Sequence, residues 1–136
     1  TLCYLDGVSD NASCGICVVE VKGAKTLIRS CVHKVTPNME ITTNSQRVLK
    51  ARKTNLELLL ANHPQDCLNC DRNQNCELQT LAFDMGVRER IFAKTRKKEI
   101  PLDVSSPSLI RDPNKCILCP DASTSAPRSR RSMQST

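Results

Sequence analysis

The nine cysteines of this 136-residue chain fall into three groups rather than a scatter. Cys3, Cys14, Cys17 and Cys31 follow C-x10-C-x2-C-x13-C. His63, Cys67, Cys70 and Cys76 follow H-x3-C-x2-C-x5-C, and Cys116 with Cys119 stands as an isolated C-x2-C. A C-x2-C pair in a tight turn aims two thiolates at one centre, and Gly15 removes a side chain that would stand between backbone N–H groups and the sulfurs. Such pairs serve iron-sulfur clusters and structural zinc alike. In the first set Cys3 stands alone ahead of the pair and Cys31 follows on an expected strand, whereas zinc ribbons present two close pairs. The spacing favours iron-sulfur ligation and leaves zinc open. Disulfides come last, because the cysteine count is odd and Thr1-Leu2-Cys3 has neither the basic start nor the apolar stretch of a secretory leader.

His63 joins the second set because it sits at the expected end of a helix, with three residues between it and Cys67. His33 has no cysteine near it beyond Cys31 and is not a candidate. Cys76 is expected in the first turn of a second helix, where N–H groups and the helix dipole favour a thiolate or an anionic cluster. No catalytic residue is expected. With four glycines there is no phosphate-cradling loop, and no nucleophile elbow is present.

The elements that must position these donors read as follows. Ile16–Val21 and Thr26–Val32 are β-branched runs separated by Lys22-Gly23-Ala24-Lys25, a hairpin signal, and Pro37-Asn38 makes a further turn. Asn44 or Ser45 caps a helix to about Asn62, with Leu49, Leu56, Leu59 and Leu60 on its core face and Lys50, Arg52, Lys53 and Glu57 elsewhere. Pro64 ends it. A Cys-rich loop, Asp66 to Asn75, feeds a short helix with Leu78, Leu81, Ala82 and Met85 at i, i+3, i+4 and i+7 and Gly86 as its cap. Beyond Arg90 the pattern is irregular, and the Ser/Arg-rich stretch after Cys119 is expected to be disordered.

Three aromatics and no Trp leave a core that would be marginal without covalent or metal cross-links. No apolar run approaches the roughly 18 residues of a membrane helix, so no membrane insertion is expected. The net charge is +6, but Arg128, Arg130 and Arg131 lie in the tail. Without residues 127–136 the balance is 17 bases against 14 acids, or +3. With so few aromatics to stack bases, nucleic-acid binding is not expected.

The segment Cys14-Gly-Ile-Cys17-Val-Val-Glu-Val resembles the 2Fe-2S domain of FeFe-hydrogenase catalytic subunits and of the large iron-sulfur subunit of NADH dehydrogenase. Ala51-Arg52-Lys53, Leu56 to His63-Pro64, Asp66-Cys67-Leu-Asn-Cys70 and Cys76-Glu-Leu-Gln resemble their linker helix and His-ligated 4Fe-4S segment. Arg72-Asn73, Ser106-Pro-Ser and Arg111-Asp-Pro-Asn-Lys-Cys116-Ile-Leu-Cys119 are more similar to the hydrogenases. The likeness covers residues 1–119. Two departures accompany it: the family has a β-hairpin and helix before the first Cys, and Ala122 and Ala126 stand where the family continues C-x2-C-x2-C-x3-C. The chain is therefore expected to be a truncated piece.

The resemblance implies an α+β chain in five parts. Residues 1–44 would be a partial 2Fe-2S ferredoxin-like domain, a β-grasp in part; 45–62 a linker helix; and 63–100 a small His/Cys3 4Fe-4S domain. Residues 101–119 would start a further ferredoxin-like 4Fe-4S domain, and 120–136 would be a disordered tail. It implies a 2Fe-2S cluster on the first set, a 4Fe-4S cluster on the second, and electron transfer for an oxidoreductase whose hydrogen-activating centre is absent from this chain. Expected partners are ferredoxin or an NADH-oxidising flavoprotein subunit and the rest of the parent hydrogenase. The expected location is the cytoplasm, with the hydrogenosome as the alternative. NADH dehydrogenase or formate dehydrogenase subunits are the alternative parents, and a structural zinc module is the second alternative.

Overall fold

The computed structural model describes residues 1–4, 6, 11–89, 91–93 and 100–117. The expected disordered tail, 120–136, and Cys119 lie outside the described residues. The fold is α+β.

A run of β-branched residues places strand β1 at Val18–Val21, paired antiparallel with β2 at Ile28–Arg29 in the register Val18 to Arg29 and Val19 to Ile28. Gly23 takes φ +86 in the connecting turn, which Ala24 closes by donating its N–H to Val21 O at 3.0 Å. Both strands are shorter than the β-branched runs, because Ile16-Cys17 belong to the cysteine loop and the chain turns at Ser30 to Val32. Asn38 adopts φ +59, the left-handed conformation expected of the Pro37-Asn38 turn. That turn delivers a third strand the sequence did not announce, β3 at Ile41–Thr42, antiparallel to the other edge of β1. The sheet order is β2-β1-β3.

Helix α1, Gln46–Asn62, starts where Ser45 Oγ accepts from Val48 N–H at 3.3 Å. It ends at His63, whose extended ψ of 139° suits a residue before proline. The buried stripe differs from the leucine face read from sequence: Val48 and Leu56 are fully buried, whereas Leu49 is 53% exposed. Glu57 is buried and Arg52 half-buried rather than lying on the outer face. The stripe is set by what the sheet and cysteine loop present to the helix, and these include bare carbonyls that polar side chains can meet. Arg47, in the first turn, donates from Nη2 to Lys25 O at 2.8 Å and ties the helix start to the hairpin.

Helix α2 spans Glu77–Asp84. Gly86, at φ +62, and Val87 close it with the reciprocal bonds Gly86 N–H to Phe83 O and Val87 N–H to Ala82 O, at 3.1 and 2.8 Å. Beyond it lies an antiparallel hairpin, β4 at Asp103–Ser106 and β5 at Leu109–Arg111, where the sequence showed no periodicity. Its strands are exposed throughout, so no alternation of apolar and polar residues marks them. Leu2, Cys3, Cys14, Ile16, Leu56 and Leu78 form one buried cluster, which joins the cysteine loop to both helices. Among the described residues no helix is long and apolar enough to cross a membrane.

Candidate metal centres

The first set meets where the chain start, the loop before β1 and the turn after β2 converge. Cys14 N–H donates to Cys3 Sγ at 3.4 Å, and Cys17 Sγ lies 3.3 Å from Cys31 Sγ in a thiol hydrogen bond. Ser30 holds the Cys31 turn against the loop, donating both its N–H and its hydroxyl to Cys17 O at 3.3 and 2.9 Å. Cys3, Cys14 and Cys17 are buried and Cys31 is half-buried. No disulfide joins the described cysteines.

The electrostatics push two of these thiols in opposite directions. Burial works against ionising Cys3, but hydrogen bonds from Cys14 and Ser13 outweigh it and hold this thiol below its usual 9.0. Cys31 is pushed up to about 11, by burial first, then by its hydrogen bond to Cys17 and by the negative charge of Cys17, Cys3 and Cys14. A bound metal would relieve the repulsion among thiolates gathered in this way. The thiol chemistry of the set suits a metal group, while among the described residues no three of the His, Cys, Asp and Glu side chains stand together closely enough to hold a single metal ion.

The second set gathers around a pocket between the end of α1 and the start of α2. His63, Cys67, Cys70 and Cys76 all line it, together with Arg72 and Lys115. His63 is the C-terminal cap of α1, its N–H bonded to Leu60 O at 3.2 Å, and half-burial holds its imidazole below the usual 6.5, which favours the neutral ring. The Cys67–Cys70 turn closes through Cys70 N–H to Cys67 O at 3.2 Å, and Asp66 braces it by accepting from Asn69 Nδ2 at 2.9 Å. Gln79 grips the next loop from α2, accepting Gln74 N–H at 2.8 Å and donating to Asn73 Oδ1 at 3.0 Å. Gln74 itself sits at φ +64.

Cys76 is the N-cap of α2, one residue ahead of the first-turn position read from sequence, and its thiol makes no capping hydrogen bond. Its extended φ of −130° lets the side chain leave the helix axis and enter the pocket. Three thiols and a neutral imidazole lining one pocket at a helix start fit an anionic cluster better than a buried apolar cysteine would. Cys116 is exposed and follows a 3-10 turn, Pro113–Lys115, that Asp112 caps by accepting from Asn114 N–H at 3.0 Å. Ile117 packs against the central core.

Two residues that matter to the first set went unread as such. Arg52 and Asn55 of α1 donate to backbone carbonyls of the cysteine loop, at Val18 and Gly15. The signal was present: they continue the helical face of Val48 and Leu56, where a polar residue needs a buried partner. Gly15, at φ +65, is required for a different reason from the one its position suggested, since a Cβ there would meet Asn55 Nδ2 at 2.5 Å.

Residues 1–46 match the family model of a 2Fe-2S iron-sulfur cluster binding domain, and residues 52–90 match the NADH-ubiquinone oxidoreductase-G iron-sulfur binding region. The chain is 51% identical to the NADP-reducing hydrogenase subunit HndD of Solidesulfovibrio fructosivorans, over 88% of this chain and 21% of that protein. It is 35% identical to the 78 kDa mitochondrial subunit of NADH-ubiquinone oxidoreductase from Candida albicans, over 86% of this chain and 16% of that one. A crystal structure of an NAD+-reducing NiFe-hydrogenase in the H2-reduced state superposes with a TM-score of 0.74 at 33% identity, covering 82% of this chain and 46% of that one. The chain thus spans about a fifth of the length of the hydrogenase subunit it matches. Its two donor sets fall within the two family matches, so that a segment similar to a 2Fe-2S binding domain is followed by one similar to the iron-sulfur binding region of the NADH-ubiquinone oxidoreductase-G type.

Proposed function

We propose that the chain relays electrons within an FeFe-hydrogenase-type oxidoreductase, between ferredoxin or an NADH-oxidising flavoprotein subunit and a hydrogen-activating centre elsewhere in the complex. In this reading Cys3, Cys14, Cys17 and Cys31 hold the 2Fe-2S cluster in a ferredoxin-like unit of residues 1–44, part of a β-grasp. His63, Cys67, Cys70 and Cys76 hold the 4Fe-4S cluster in a unit of residues 63–100, and residues 45–62 join the two. Residues 101–119 begin a further ferredoxin-like unit, to which Cys116 belongs.

The observation that carries the relay is the shared core. Cys3 and Cys14 are members of the buried cluster around Leu56 and Leu78, and Cys76 packs against the same cluster. Donors from both sets thus border one apolar interior. When bound, the clusters supply one-electron transfer without bond making. The protein's part is to hold both sets rigidly, to keep water out of the interior between them, and to offer neutral imidazole in place of one thiolate at the second site. That exchange lowers the negative charge of the site and raises its potential.

A second reading, the large iron-sulfur subunit of NADH dehydrogenase or formate dehydrogenase, draws on the match of residues 52–90 to the NADH-ubiquinone oxidoreductase-G region. It keeps the same ligands and relay and changes the redox centres at its two ends.

The test is anaerobic iron, sulfide and zinc analysis with EPR after dithionite reduction. About six irons and two distinct reduced signals are expected. Zinc without sulfide would overturn the relay and turn the same donors into scaffolding. Hydrogen turnover by the reconstituted 136-residue chain would overturn it as well, since the relay contains no hydrogen-activating centre.

A further inference from the structure

Helix α1 grips the loop of the first set through two side chains that are not themselves metal donors. Arg52 donates from Nε and Nη2 to Val18 O, at 3.1 and 2.8 Å, and Asn55 donates from Nδ2 to Gly15 O at 2.8 Å. The two residues are three apart and share a helix face. Their targets bracket Cys17, one two residues before it and the other one residue after. The fit at Gly15 is close: the left-handed φ of +65 and the absence of a side chain let Asn55 lie against the backbone, where a Cβ would meet Nδ2 at 2.5 Å and Cγ at 3.1 Å.

A trans peptide directs its C=O and N–H to opposite sides. Turning Gly15 O toward α1 therefore turns Ile16 N–H away from the helix, and turning Val18 O toward Arg52 does the same for Val19 N–H. The Gly15–Ile16 and Val18–Val19 peptide planes are fixed by a helix remote in sequence; Val19 pairs with Ile28 in the sheet, so Ile16 N–H is the donor whose direction this sets within the cysteine loop. Hydrogen bonds to cluster sulfurs and nearby positive charge both raise a cluster's potential. Arg52 adds a half-buried guanidinium beside the loop.

We propose that Arg52 and Asn55 are positioning residues for the first metal site, through which α1 fixes the Cys14–Cys17 loop and sets the potential of the group bound there. This rests on the proposed assignment of a 2Fe-2S cluster to Cys3, Cys14, Cys17 and Cys31. The same helix carries His63 at its end, eight residues beyond Asn55 or about 12 Å along the axis, so the second cluster serves as an internal reference.

The experiment is an EPR-monitored redox titration of the full reconstituted chain, wild type against N55A, N55Q, R52Q and R52K, with iron and sulfide counted in each. N55A and R52Q should make the 2Fe-2S cluster harder to reduce by at least threefold in the one-electron equilibrium, a tenfold change being 59 mV. They should also shift its g-values while the 4Fe-4S signal stays in place. R52K, which keeps the charge but not the fork, should fall between, and N55Q, which keeps the donor on a longer arm, should recover part of the change. A merely structural role would alter stability or cluster occupancy but leave the potential of the surviving cluster unmoved. Occupied sites with potential and g-values unchanged in N55A and R52Q would overturn the proposal alone. A wild-type chain without iron and sulfide at the first set would overturn it together with the relay.

Discussion

Leu56 of α1 and Leu78 of α2 lie in one buried cluster, 0% and 2% exposed, and that cluster also contains Cys3 and Cys14 and takes Cys76 against its edge. Two segments that match separate family models therefore share a single apolar interior. Leu2, Cys3, Cys14 and Ile16 from the one segment and Leu56 and Leu78 from the other make up that interior.

Leu56→Ala should destabilise the chain by about 2–5 kcal/mol, the range for truncating a fully buried leucine. The loss should reach both sites. Denaturant titration of the cluster-loaded chain, followed by the visible absorption and EPR of each cluster, should show both bleaching at the same lowered midpoint. Bleaching of one cluster alone would show that the core does not couple them.

Gly15→Ala forces a non-glycine residue into the left-handed region and drives its Cβ into Asn55. The backbone cost alone is about 1–2 kcal/mol, and the displaced amide adds the loss of the bond to Gly15 O. Iron and sulfide counts should fall by the equivalent of the 2Fe-2S cluster while the 4Fe-4S content holds. Full 2Fe-2S occupancy in this variant would contradict the tight approach.

Removing the clusters should unfold much of the chain. Among the described residues twelve hydrophobic side chains are buried, and three of these are Cys3, Cys14 and Cys17 of the first set, so the core without the metal group is small. Metal binding supplies folding free energy in such sites. Circular dichroism before and after anaerobic chelation should show a large drop in melting temperature; an unchanged melting temperature would contradict the expectation.

Acid should loosen the β4–β5 hairpin through Asp103. Ser105 donates to its carboxylate, with the nearby charge of Arg111 assisting, and holds the carboxyl below its usual 3.8. A carboxyl depressed in the folded state binds fewer protons there than in the unfolded chain, so its contribution is present above about pH 3.8 and is lost as pH falls through the lowered value. An NMR titration of the Asp103 carboxyl should show the depressed midpoint in the wild type and one moved part of the way back in S105A, which loses the hydroxyl but keeps the backbone N–H and the charge of Arg111.

The sequence by itself named the candidate donors and determined the local signals around them. The two spacings named eight candidate residues because a tight C-x2-C turn is a local structure. Ser45, Pro64 and Gly86 marked helix boundaries because capping and proline sterics act within a few residues. Tertiary structure decided which face of α1 is buried, exchanging Leu49 for Val48, because the stripe is chosen by the surface it meets. It also decided that Ile41–Thr42 completes a sheet and that Asp103–Arg111 forms a hairpin, since two- to four-residue strands carry too few side chains to print a period. Above all it decided the roles of Arg52 and Asn55, whose partners lie 34 and 40 residues away in the chain. Carbonyl groups look alike at every position of a sequence, and only the folded backbone shows which of them is turned toward a helix and needs a donor.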